Sequence, residues 1–128
     1  MLIIGTAAGI RKYRAWVKSI TNFIPAKKPD QHHLAFPGFE AAFRTKWPEK
    51  PIVELEISAT ALSNAVRVAE PHKRVFGAVD LFDEAIRNYL RQEDVAPAVW
   101  FVVIPEDVHR FCRPQSTVPR VERIEDPI

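Results

Sequence analysis

The sequence has one cysteine, Cys112, so no disulfide can form within the chain. That usage suits a reducing compartment. Long hydrophobic runs are also missing. The most apolar stretches, Met1 to Ile4 and Val99 to Ile104, fall far short of the roughly 20 residues needed to cross a bilayer. Nor is there a signal-peptide layout, because charge follows the first apolar run instead of preceding it. These absences lead us to expect a cytoplasmic protein without membrane attachment. A large excess of either sign of charge is missing as well. A net charge of +2 is too small to indicate nucleic acid by itself, so any polyanion site must be local.

What is present is ordinary globular material. With 47% hydrophobic and 27% charged residues in 128, the chain can bury a real core and fits one domain. Met1-Leu-Ile-Ile-Gly5 reads as a buried strand. Ile10, Tyr13, Val17 and Ile20 then recur at helical spacing, with Trp16 widening the stripe and Thr6 placed to cap the helix. From Pro25 to Pro51 five prolines break the pattern into a long connection. Within it, Phe36 to Phe43 has the makings of a helical turn or two, whose phenylalanines pin the loop to the body. Connections this long are often functional.

Ile52 to Ile57 alternates apolar and acidic side chains, as a strand with one wet face does. Ala59 to Val68 reads as a short helix broken at Glu70-Pro71-His72. Asp80 is expected to cap the clearest helix, with Leu81, Phe82, Ala85, Ile86, Tyr89 and Leu90 on its apolar face. The unbroken run Val99 to Ile104, stopped by Pro105, reads as the strand most deeply buried on both faces. Glu106 to Arg113 reads as a further turn of helix, and Gln115 to Ile128 as a connector or ragged end. The alternation of strand and helix predicts an α/β domain with a small, mainly parallel sheet over residues 1–114. Three strands are few, so part of the domain is expected to lie outside the chain.

Ligands in such sheets sit beyond the carboxyl ends of the strands, here at Gly5-Thr6, Ser58-Ala59 and Pro105 to Arg113. Gly5 to Gly9 places a turn before a helix N-terminus, where N–H groups could hold an anion; it matches neither the dinucleotide fingerprint nor a Walker loop, and a purely structural turn is the competing reading. His109 and Cys112 could share a helical face like half a zinc site, but a tetrahedral site needs more ligands. No metal site is expected. Cys112 has no nucleophile signature around it, and a simply packed thiol is the plainer reading. Glu54/Glu56 and Asp83/Glu84 are explained by a solvated strand face and a helix N-terminus. No catalytic constellation emerges, so we do not expect an enzyme. His109 and Arg113, four apart, project from one helical face: an imidazole can stack on a base, and a guanidinium offers paired donors to phosphate. Surface charge alone would also account for Arg110 and Arg113.

Ile3-Ile4-Gly5-Thr6 with its helix, His33-Leu34-Ala35-Phe36-Pro37-Gly38-Phe39, and Phe101 to Ser116 together resemble the MID domain of short prokaryotic Argonaute (Piwi-related) proteins. The likeness runs over nearly the whole chain, in order. Its most specific stretches are Val102-Val103-Ile104-Pro105-Glu106-Asp107-Val108 and Cys112-Arg113-Pro114-Gln115-Ser116. The resemblance implies a Rossmann-like domain that anchors the 5′ end of a guide RNA or DNA and performs no catalysis. It assigns the loop Pro105, Glu106 and Asp107 to the first guide base, His109 to stacking on that base, and Arg113, with Arg110 nearby, to the 5′ phosphate. The family often has tyrosine at the position of His109; stacking survives that change, while the pocket's response to pH differs. The family's pocket is completed by a later motif and a PIWI domain, so the chain reads as truncated before PIWI. The resemblance implies no cofactor on these residues, although a divalent ion can accompany the guide 5′ phosphate in the complete protein. The implied partner is an APAZ-containing effector, TIR-like or sirtuin-like, in a prokaryotic defence system. Two alternatives stand beside it: a small nucleotide-binding or enzyme domain using Gly5 to Gly9, and a protein-interaction domain using Phe36 to Phe43 and Trp47.

Overall fold

The computed structural model describes residues 1–112, apart from Pro29, Gln31 and Ile52. The elements follow in the order β1 (Leu2–Gly5), α1 (Ala7–Ile20), α2 (Phe39–Phe43), β2 (Val53–Glu56), α3 (Ala59–Ala65), α4 (Pro71–Gln92), β3 (Trp100–Val102) and α5 (Glu106–Phe111). The strands form an open, all-parallel sheet in the order β2-β1-β3. It is an α/β domain of the kind the alternation predicts.

β1 is the axis of the structure. Leu2, Ile3 and Ile4 are all 0% exposed, because neighbours pair with both edges of the strand and helices cover both faces. Successive side chains on a strand point to opposite faces, and the packing follows that rule. Ile3 joins Ile10, Tyr13 and Val17 of α1, with Phe101 of β3 on the same side. Leu2 and Ile4 join Ile57 and the Leu81, Phe82, Ala85, Ile86 and Tyr89 stripe of α4. A third cluster, Leu62, Val66 and Ala78, ties α3 to α4 and takes in Val108 of α5. The Ile10-Tyr13-Val17 spacing therefore meets the sheet as its helical period requires.

Two expectations change. The long helix starts at Pro71, not Asp80, which lies in its middle. Proline lacks the N–H that a first-turn residue has no intrahelical use for, so Pro71 opens this helix, and α3 has already ended at Ala65. β3 is also not the most buried strand. Among the described residues it pairs only with β1, and Val102 and Ile104 stand 50% and 61% exposed. An unbroken apolar run marks burial on two faces only if both faces are covered. Here Phe101 and Val103 meet α1 and Trp100 meets α4, while the flanking residues stay open.

The connection after α1 folds back through paired hydrogen bonds between Ile24 and Phe36, both 2.8 Å. Gly38, at φ 101, admits the chain to α2 in a conformation that favours glycine. The chief anchor of the connection is Trp47. Its ring meets Phe39, Trp16 and Phe101 edge-on at 4.9, 5.4 and 5.2 Å, and its indole N–H donates to the Tyr13 phenol at 3.2 Å. Phe39 thus holds the loop through Trp47, whereas Phe43 is 61% exposed.

Tyr13 generates a pH prediction. Burial pushes its pKa above the ordinary tyrosine value, against a smaller lowering from the Trp47 hydrogen bond. The fold therefore favours the un-ionised phenol. That contribution is whole below about pH 10 and is lost as pH climbs towards the raised folded value. In denaturant titrations from about pH 9 to 11, Tyr13→Phe should show a shallower alkaline loss of stability than the parent; an equal loss would contradict the assignment.

Candidate functional site

The chain leaves β1 through α1 and pairs β2 on one edge. It then crosses over through α3 and α4 to place β3 on the other edge. The direction of winding reverses between β1 and β3, and in open α/β sheets that reversal leaves a crevice beyond the carboxyl ends of the strands. A cleft of about 240 Å³ lies there. One wall is the start of α1, with Thr6, Ala8, Gly9 and Lys12; the other is the chain from Val103 to Asp107.

Each wall has a local cause. Thr6 caps α1, its hydroxyl accepting the Gly9 N–H at 3.2 Å. The first-turn N–H groups of Ala7 and Ala8 have no carbonyl within the helix to bond, and the positive end of the helix dipole faces the same way. The glycines at this turn serve packing. A Cβ on Gly5 or on Gly9 would stand 3.0 Å from Val103 side-chain carbons, so both allow β3 and α1 to approach. That supports the structural reading of Gly5 to Gly9 on steric grounds. On the opposite wall Pro105 precedes α5, whose first turn carries Glu106 and Asp107. Lys12 brings a cation to the cleft, and the two carboxylates bring acceptors.

The residues singled out from the sequence are divided by the fold. Pro105, Glu106 and Asp107 line the cleft at the winding reversal. His109 is exposed, and its backbone N–H donates to the Pro105 carbonyl at 3.1 Å. Its side chain borders a second, largely apolar cleft of about 250 Å³ with Val75, Val79 and Cys112, and Ile104 lines both clefts. Arg110 is exposed, its guanidinium 5.3 Å from the centre of the Phe111 ring. Arg113 lies outside the described residues, as does the segment 115–128. Lys12 was not singled out by sequence reasoning. Its place on α1 was legible, but which flank of α1 faces β3 depends on a strand order that spacing does not supply.

Cys112 and His109 share the second cleft, yet the thiol is 3.8 Å from the Arg74 carbonyl oxygen, towards which it donates. Burial pushes the Cys112 thiol up, more than the nearby Arg74 charge brings it down. A nucleophilic cysteine needs the opposite. Among the described residues no three His, Cys, Asp or Glu side chains gather as a metal site would require. His33 and the backbone N–H groups of His32 and His33 close on the Asp30 carboxylate, which they hold below the usual range. Glu54 pairs with Arg14 through both carboxylate oxygens, at 2.5 and 2.6 Å, as a solvated strand face allows. No helix among the described residues is long and apolar enough to cross a membrane. No protein-family profile matches the chain, and no curated protein matches it.

Two outcomes follow. Thr6→Ala should lower stability by about 0.5–2 kcal/mol in chemical denaturation, and Thr6→Ser should recover most of it, because the loss is that of a cap. Cys112 should react with an alkylating reagent near pH 8 more slowly in the folded protein than in the denatured chain, since only the thiolate attacks; equal rates would contradict the packed reading.

Proposed function

We propose that the chain binds a nucleic-acid strand by its 5′ end, as the guide-anchoring MID domain of a short prokaryotic Argonaute, without catalysis of its own. The observation that carries this reading is the cleft at the winding reversal, bounded by the capped start of α1 and by the Pro105-Glu106-Asp107 loop, with His109 exposed on the following turn. The loop offers carboxylate acceptors to the amino groups of a base. His109, on the neighbouring cleft that meets the first at Ile104, offers a flat face for stacking at its edge. Lys12 and the N-terminal end of α1 supply positive potential on the opposite wall. Arg113, four residues after His109 in sequence, supplies the guanidinium for the phosphate in this reading.

In the same reading the strand is a guide RNA or DNA bearing a 5′ phosphate. A divalent ion accompanies that phosphate in the complete protein, an APAZ-containing effector is the partner, and the location is cytoplasmic. A Gly5 to Gly9 nucleotide site is disfavoured by the use of both glycines to seat Val103. A partner surface centred on Trp47 is disfavoured by the engagement of that ring with Phe39, Trp16 and Phe101.

The test compares 5′-phosphorylated with 5′-hydroxyl oligonucleotides of one sequence. Tighter binding of the phosphorylated strand is expected; equal affinities would remove the 5′-end pocket. His109→Ala should weaken binding of the phosphorylated strand by about 1–3 kcal/mol, the range for one base stacked on a ring. His109→Tyr should retain most of it.

A further inference from the structure

The small net charge of the chain conceals a strong segregation. Residues 1–50 carry nine Lys and Arg against three Asp and Glu, whereas residues 51–112 carry six against ten. The excess is sharpest on α1, which has Arg11, Lys12, Arg14 and Lys18 and no acidic residue in its 14 positions. α4, by contrast, mixes its charges, with Arg87 paired to Asp83 and Lys73 to Glu70 just before the helix. On α1 only Arg14 is matched, by Glu54 of β2. Arg11, Lys12 and Lys18 have no ion-pair partner among the described residues.

The geometry gives these cations a direction. Ile10, Tyr13 and Val17 occupy the buried stripe of α1, so the exposed ridge is Ala8, Arg11, Lys12, Ala15, Lys18 and Ser19. The residues between the cations are short, which lets a partner's backbone come close to the helix. Lys12 stands at the mouth of the cleft at the winding reversal. Lys18, two turns from Arg11, stands at a groove of about 440 Å³ that Arg14 and Lys46 also line, together with Glu40 and Glu49. Arg11 and Lys18 are about 10 Å apart along the axis, far enough for each to meet a different phosphate of one strand.

We infer that the outer ridge of α1 is a track for a nucleic-acid backbone, running from the cleft at Lys12 across Arg11 to Lys18 and Lys46. The contacts are to phosphate and not to bases, because mobile ammonium and guanidinium groups on an open ridge carry no base-edge pattern. Only its starting point at the cleft rests on the strand-end reading. The two stand or fall separately.

The test is the salt dependence of binding of an oligonucleotide of about 20 nucleotides to the full 128-residue chain, with 5′-phosphate and 5′-hydroxyl versions measured in parallel. Arg11→Gln/Lys18→Gln leaves Lys12 and the cleft intact. Loss of two phosphate contacts should reduce the slope of log K against log salt by about 1.4, close to a 7-fold change in relative affinity between about 50 and 200 mM. The same reduction is expected for both 5′ ends, whatever the preference between them. The control Arg87→Gln/Arg91→Gln removes equal charge from α4 and should leave the slope unchanged. The track is overturned by an unchanged slope in the α1 variant, by an equal reduction in the α4 control, or by failure of the parent chain to bind at the lower salt. Equal affinity for the two 5′ ends with a slope that still falls would remove the pocket and leave the track standing.

Discussion

Complete burial of three consecutive apolar side chains, Leu2, Ile3 and Ile4, is the constraint on which the rest depends. A strand can hide both faces only when helices cover it above and below, and both edges only when it is central. β1 therefore forces α1 onto one face, α4 onto the other, and β2 and β3 onto its flanks. The burial driving this arrangement amounts to roughly 1.5–3 kcal/mol for each fully covered side chain. Placing β2 and β3 on opposite edges of β1 is what makes the winding reverse. The reversal in turn creates the cleft. The proposed site is thus a by-product of how the core is closed, and it stands at the end of a strand whose Leu2, Ile3 and Ile4 are fully buried.

Much of this was legible in the sequence because it rests on local rules. The Ile10-Tyr13-Val17 spacing marks the buried face of α1, Thr6 marks its start, and the Val53-Glu54-Leu55-Glu56 alternation marks a strand with one wet face. Each is settled within a few residues. The strand–helix alternation was enough for a parallel sheet. What failed was what depends on distant partners. Val99 to Ile104 looks central by composition, yet its place is set by what pairs with it. Pro71 looks like a terminator, but the preceding helix has ended by Ala65 and the ring starts the segment after it.

The candidate cleft was legible to a similar depth. Its location beyond the strand ends, and the membership of Pro105, Glu106 and Asp107, follow from fold class. The separation of His109 onto a neighbouring cleft, and the arrival of Lys12 on the facing wall, require the packing of α5 on α4 and of α1 against β3. No spacing rule reports these. The charge segregation was present in the sequence throughout, but it is invisible in a net charge of +2 and gains meaning only when α1 is seen to present its cations outward.

The seating of Val103 against Gly5 and Gly9 has a further consequence. This residue belongs to one wall of the cleft and Gly9 to the other, while Gly5 lies against Val103 from the strand beneath. The two sides are in van der Waals register through a single isopropyl group, without an intervening flexible side chain. Widening the opening would accordingly mean parting groups that are already packed together. Selection among ligands at this place would act by shape and charge already in position, and a guest too broad for the gap would be turned away instead of accommodated.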